Sequence, residues 1–425
     1  MFQFYTLTRL SFNLCNPLHQ AVPAVRGLSR QTSMQLRHVY VAAGLIRAIF
    51  LFLELDSYFA LQRFVSTSDY SLNGVKESIF MVNLGLFSHA SFSLNASPLL
   101  AYFYGKIDSL IAMVGLIFAH RLIYGIIHGS VDIATAHLLY LQCMKRTGRK
   151  QESMMIVTAL LFSPFSLLAF NSSTWTWLQL LCVGGVHALE VGSILACTIC
   201  FSLVFFLSPT IGGYLLLLPL IRSPMKALSA FVLVTLVQLG IFLELGGGNF
   251  GNYLEIFSRL FVPFMSPPAL GLWWYLRVEV FLSFRQYFAL LSVLVLIFFQ
   301  AALFVFLRHH FSPHFAVAFA ILCHCTFSYF VSYQSWAFAT SCLLQLLHRY
   351  SAKQTSWMLI GLFVAHVVLA LTPMIQYAWL NVGAGNANFL WALNMVLSAV
   401  GGILLLGLWT AEQQAHQCNL KTQTD

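Results

Sequence analysis

The stretch Tyr287-Phe288-Ala289-Leu290-Leu291-Ser292-Val293-Leu294-Val295-Leu296-Ile297-Phe298-Phe299-Gln300-Ala301-Ala302-Leu303-Phe304-Val305-Phe306-Leu307 carries no charged side chain. Arg285 stands before it and Arg308 closes it. A continuous apolar run of this length crosses the ~30 Å hydrocarbon core of a bilayer as a helix, where every backbone N–H and C=O is satisfied without water. The two-residue alternation of a membrane β-strand is missing from it. Counting this run as 285–307, comparable runs lie at 39–55, 109–128, 154–170, 174–189, 190–207, 210–221, 227–245, 314–332, 334–347, 356–373 and 389–409. They predict an all-α polytopic membrane protein of roughly 10–12 transmembrane helices. The 210–221 and 334–347 runs are short for a full crossing and are expected to tilt, break or re-enter.

The rest of the composition agrees. Of 425 residues, 22 are Lys or Arg and 13 are Asp or Glu, which makes 8% charged against 59% hydrophobic. Mean hydropathy is +0.80. A soluble domain carries about 25% charged residues, so a water-exposed surface cannot be built here. A soluble enzyme, a disordered chain and a DNA-binding domain are excluded. The net charge of +9 is no nucleic-acid footprint, because the bases are scattered between apolar runs, where they set orientation.

That orientation can be read from four basic connectors: Lys145 to Lys150, Arg222 to Lys226, Arg308, and Arg349 to Lys353. Twelve spans put all four on one side with both termini, and that side is expected to be cytosolic. The long, base-poor loops 56–108, 246–284 and 374–388 are then lumenal. Residues 39–410 read as one multispan domain and 411–425 as a cytosolic tail. Residues 1–38 contain Arg9, Arg26, Arg30 and Arg37 but no acid. Such a composition resembles a transit peptide; the plainer expectation is an extension that is not native, ahead of a start at Met34. Asn171-Ser172-Ser173 is a glycosylation sequon on the expected lumenal side, and Asn95-Ala96-Ser97 is a second one, weakened by Pro98.

Few residues can carry chemistry. Glu54 and Asp56 end the first span, where paired acids can hold a cation, act as a base or simply cap a helix. Arg47 and Arg121 are costly in hydrocarbon and call for partners such as Glu54, Asp108 or Glu190. In the 266–281 segment, Trp273, Trp274 and Tyr275 adjoin Arg277 and Glu279, which suits the headgroup level of a membrane, either as an anchor or as a binding surface. Ahead of the last span, Gly383 and Gly385 permit close backbone approach. Asn386 and Asn388 beside them can bind sugar or inositol hydroxyls, or cap the following helix. Cys197-x-x-Cys200 and Cys323-His324-Cys325 lack a second ligand pair, so no metal or cofactor is expected. No G-x-S-x-G, Walker or H-E-x-x-H motif occurs, and no catalytic residue is expected.

Four motifs carry a resemblance. They are Pro268-x-x-Gly271-Leu272-x-Trp274-Tyr275 with Glu279 and Phe281, Gly385-Asn386-x-Asn388-Phe389, Pro98-Leu99-Leu100-x-Tyr102, and Ser163-Pro164-Phe165. In order and spacing, from about residue 39 to 410, the chain resembles the PIG-U family of glycosylphosphatidylinositol (GPI) transamidase subunits. It departs from the family at Ala269, Asn95-Ala96 and Ala387. The resemblance implies an architecture related to multispan (GT-C-like) glycosyltransferases and an endoplasmic reticulum location. It implies a non-catalytic subunit that works beside a caspase-like catalytic subunit and other subunits, helping to bind the GPI lipid and to present a proprotein's C-terminal signal. On that resemblance Asn386, Asn388, Phe389, Gly385, Trp274, Tyr275 and Glu279 are the expected lipid-binding residues. The alternative is a mannosyltransferase using a polyprenyl-phosphate sugar, with Glu54 and Asp56 as its acidic site.

Overall fold

The computed structural model describes residues 25–60, 70–84, 97–114, 120–245, 270–310, 312–329 and 331–424. The chain is a polytopic all-α membrane protein. Among the described residues there is no strand; the pairings Ser71 with Ser173 and Leu270 with Val331 are isolated bridges. The expected lumenal stretches at 61–69, 85–96 and 246–269, with both expected first-loop residues Asn95 and Ala96, lie outside the described residues.

The first helix, α1, is Val25–Phe52. It therefore begins inside the segment read as an extension. Glu54 follows in the left-handed region at φ 57 and turns the chain into α2, Leu55–Ala60. Next come α3, Leu72–Asn83, and α4, Pro98–Met113. The run at 109–128 is not one helix: α4 ends at Met113 and α5 runs from His120 to Thr147. Hydropathy undercounts α5 because the part beyond residue 128 carries Asp132 and Gln142, polar but buried. Then follow α6, Lys150–Leu161, and α7, Pro164–Leu168, which opens on a proline at its first position.

Helix α8, Trp175–Val191, stops at Gly192 in the left-handed conformation, φ 90. Helix α9, Ile194–Leu207, is capped by Ser193. The short 210–221 run is broken, as α10, Pro209–Leu215, and α11, Leu217–Arg222. Pro219 explains the break, since it has no N–H to give the carbonyl of Leu215. Helix α12 is Pro224–Leu245, α13 is Trp273–Glu279 and α14 is Arg285–His309. Helices α15, Pro313–Phe327, and α16, Tyr333–Leu344, are each capped by a serine. The bundle closes with α17, Ala352–Leu380, and α18, Ala387–Thr424. Helix α18 runs through most of the segment assigned to a tail.

Among the described residues, seven helices or helical stretches are long and apolar enough to cross a membrane, and three shorter apolar stretches accompany them. Helices α15 and α16 are too short to cross alone because they form the core. Every side chain from Phe315 to Thr326 is buried, the mark of a helix surrounded by protein. Around them α17 packs on α18, α8 on α9, and α5 on α6 and α8. Helices α12 and α14 present Leu233, Leu236, Leu294 and Phe298 outward, as a bilayer-facing ring does.

Candidate functional site at one end of the bundle

The polar side chains gather at the two ends. One end joins Lys145 to the Glu190 carbonyl at 3.3 Å and Arg349 to Glu412 at 3.0 Å. It carries the basic connectors. The other end holds the residues singled out in the sequence.

At that second end α13 is pinned before it forms. Leu270 bridges Val331. Gly271 adopts φ +108, and a Cβ there would stand 3.0 Å from the Ser328 carbonyl, so glycine is needed for both backbone and space. The Trp273 indole N–H donates to the Phe327 carbonyl at 2.7 Å. Trp274 is buried and stacks on Trp379 at 6.4 Å, while Tyr275 stacks on Trp391 at 4.7 Å. The Tyr275 hydroxyl donates to Asn388 Oδ1. Helix α13 thus meets the 385–389 loop through the Tyr275–Asn388 hydrogen bond, and the flanking helices α17 and α18 through two aromatic stacks.

The loop itself is shorter than expected, because α17 continues past Pro373 to Leu380. Gly383 and Gly385 take positive φ, 70 and 113, and turn the chain back into α18. The two asparagines divide the roles foreseen for them. Asn386 Oδ1 accepts from the Asn388 backbone N–H at 3.0 Å, as a cap does. The Asn388 side chain reaches Tyr275. Asn386, Asn388 and Phe389 are exposed. Glu279 is exposed at the end of α13; among the described residues no hydrogen bond or ion pair brings it to the Tyr275–Asn388 contact. Trp379 and Trp391 were not foreseen as site residues. Their signal was their position flanking the glycine–asparagine loop. The indole N–H groups of Trp274 and Trp391 are buried and, among the described residues, have no hydrogen-bond partner.

The acids of the first span have a different fate. Asp56 is buried and accepts from Arg121 Nε at 3.0 Å and from Asn171 Nδ2 at 2.9 Å. Burial alone would raise its pKa, but the bonds from Arg121 and Asn171 outweigh it and hold the carboxyl below its usual value. Glu54 pairs with the same guanidinium at 3.1 Å. Beside them Asp108 accepts from Tyr124 and lies 3.1 Å from His120. A carboxylate so engaged by Arg121 and Asn171 is a poor general base. Arg47 pairs with neither Glu54, Asp108 nor Glu190 but with Asp132, at 3.0 Å. Asn171 lies at φ 58 with its side chain turned inward, which removes the sequon nitrogen from solvent.

Comparison with known proteins agrees with the motif reading. A family model described as GPI transamidase subunit PIG-U matches residues 41–397. The GPI transamidase component GAB1 homolog of Schizosaccharomyces pombe is 25% identical over 252 residues, 55% of this chain and 59% of that protein. The GPI transamidase component GAB1 of Saccharomyces cerevisiae is 24% identical over 226 residues, 51% of this chain and 56% of that protein. The chain spans a little over half the length of the curated relatives it matches.

Proposed function

The chain belongs to the PIG-U family, and on that premise we propose that it is a non-catalytic membrane subunit of a GPI transamidase. In this reading it sits in the endoplasmic reticulum membrane with both termini cytosolic. It holds the GPI lipid beside a caspase-like catalytic subunit and helps to present the proprotein's C-terminal signal. The family match carries the reading. The mannosyltransferase alternative finds no support in either relative, and Asp56 is already spent on Arg121 and Asn171.

The lipid contact is assigned to the rim formed by Tyr275, Asn388, Asn386, Trp274, Gly385 and Phe389. The chemistry of a GPI lipid favours it. The acyl chains need an apolar flank, which exposed Phe389 and the lipid-facing parts of α17 and α18 provide. The glycan needs neutral polar groups, which the two carboxamides offer. The unpartnered N–H groups of Trp274 and Trp391 call for acceptor oxygens, since a buried donor left unmade costs about 1–3 kcal/mol. Glu279 closes α13 one turn after Tyr275 and is retained in the proposed contact.

The test replaces Asn388 with Ala and, separately, Tyr275 with Phe in cells lacking the native subunit. GPI attachment to a reporter should fall several-fold with Asn388→Ala, while the tagged protein still recovers its partner subunits. Full attachment in both variants would remove the rim from the lipid site. Recovery of no transamidase subunit by the unmutated protein would remove the function itself.

A further inference from the structure

The opposite end of the bundle, bearing the basic connectors, contains a cluster that the function above leaves unused. Five elements converge there. Arg146 comes from the last turn of α5, and Glu190 from the end of α8. His314 lies in the first turn of α15. Arg349 and Tyr350 follow α16, and Glu412 comes from α18.

Three of these six groups are matched, and among the described residues Glu190 Oε2 is buried without a hydrogen bond. Glu412 Oε1 lies 3.0 Å from Arg349 Nη1, and its Oε2 accepts from the Tyr350 hydroxyl at 3.0 Å. Arg349 also donates to Ser312 Oγ at 3.1 Å, the side chain that caps α15. Arg149 pairs with Glu152 at 2.8 Å. Lys145 donates to the Glu190 backbone at 3.3 Å.

Arg146 is not matched. It donates through Nη2 to the Gln345 carbonyl at 2.7 Å, a neutral acceptor. Its Nη1 is buried without a hydrogen bond, and among the described residues no carboxylate stands within 4 Å of it. Arg349 lies near enough to repel it, and Glu190 near enough to attract it. His314 is 7% exposed, and its Nε2, 3.3 Å from Glu190 Oε1, makes no hydrogen bond. It too lies within reach of Arg146, Arg349 and His348.

The charges do not balance. With the histidines neutral, the two connectors bring six cations (Lys145, Arg146, Arg149, Lys150, Arg349 and Lys353) to this end against three carboxylates (Glu152, Glu190 and Glu412). Of the two half-buried guanidiniums, Arg146 and Arg349, only Arg349 has a carboxylate within 4 Å among the described residues. A buried guanidinium N–H with no acceptor is costly, and more so beside a second guanidinium. The N-terminus of α15, fifteen residues long, adds its partial positive charge at the same place.

We propose that the junction of Arg146, Arg349 and His314 at the start of α15 binds a phosphodiester monoanion, the headgroup phosphate of an anionic phospholipid on the expected cytosolic leaflet. One negative charge would give Arg146 the counter-ion that Arg349 already has in Glu412. Arg146 Nη1 and His314 Nε2–H supply two donors to its oxygens. Glu190 disfavours a dianion, which makes a diester a better ligand than a phosphomonoester.

The experiment measures melting of the full chain, purified in dodecyl maltoside, against added phosphatidylglycerol and, separately, inorganic phosphate. Phosphatidylglycerol should raise the melting midpoint in a saturable manner. Arg146→Gln should weaken that response about tenfold or more, as expected when a charge-assisted hydrogen bond of about 1.5–3 kcal/mol is lost. His314→Gln should weaken it too, and Arg146→Lys should restore part of it. Arg222→Gln, which removes a base from another connector at the same end, should leave it unchanged. The same Arg146-dependent response to inorganic phosphate alone would support the site with a free anion as its ligand. The proposal is overturned by no response to either probe. It is also overturned by an equal loss in Arg222→Gln, which would mean diffuse attraction. If Arg146→Gln does not accumulate, His314→Gln and Arg146→Lys carry the same decision.

Discussion

The buried pair between Arg47 on α1 and Asp132 on α5 gives a quantitative test of how this bundle holds a charge inside a membrane. Both side chains are nearly inaccessible, 3% and 6% exposed. Arg47 approaches Asp132 Oδ2 through Nε at 3.2 Å and Nη2 at 3.0 Å. Its Nη1 also donates to the Leu161 carbonyl at 3.2 Å, one of the carbonyls that the end of α6 leaves without an intrahelical partner. Asp132→Leu or Arg47→Met alone strands a charge and should cost about 3–5 kcal/mol. The double variant removes both charges and fills the space with carbon, so the pair itself becomes nearly neutral. What remains is the abandoned Leu161 carbonyl, about 1–3 kcal/mol. The double variant should therefore be more stable than either single one, with a coupling of several kcal/mol. Unfolding by SDS titration in maltoside micelles measures all four proteins on one scale. A double variant destabilised by the sum of the two singles would refute the reasoning, since the two charges would then act independently.

Three further outcomes are expected. Gly185→Ala places a Cβ 2.3 Å from the Phe201 ring between α8 and α9 and should destabilise by about 1–3 kcal/mol; the neighbouring Gly184→Ala, whose nearest atom is Cys200 Sγ at 4.0 Å, should be neutral or better, and equal effects in the same SDS titration would contradict the packing. Asn171 should carry no glycan, because its amide nitrogen is spent on Asp56; a glycosidase-sensitive mass that disappears in Asn171→Gln would show otherwise. His348, between α16 and α17, is pushed down to about 4 by burial and by the nearby Arg146 and Arg349. Its unfolded value is about 6.5, so the unfolded chain binds the extra proton between the two values. Stability from this group is complete above about pH 6.5 and is lost as pH falls towards 4; His348→Gln should flatten that slope in melting curves, and an unchanged slope would exclude the histidine.

The order of helices and their membrane character were determined by the sequence alone. The run from Tyr287 to Leu307 reads as a helix because in hydrocarbon the backbone must satisfy itself within each segment, a local condition that composition reports directly. The Pro219 break and the serine caps at Ser312, Ser332 and Ser351 are local too, fixed by residues within a turn of each event. The motifs at 266–281 and 385–389 likewise indicated the family without any coordinates. Only the tertiary structure decided the rest. Helix α5 was misread because Asp132 and Gln142 are buried against partners that hydropathy cannot see. Asp56 could be read as a free acid until Asn171, 115 residues away, and Arg121, 65 residues away, were seen to occupy it. Tyr275 and Asn388 stand 113 residues apart, and no local pattern encodes that they touch. Their meeting depends on α15 and α16, which pin α13 at one edge while α17 and α18 bring the second loop to the same rim.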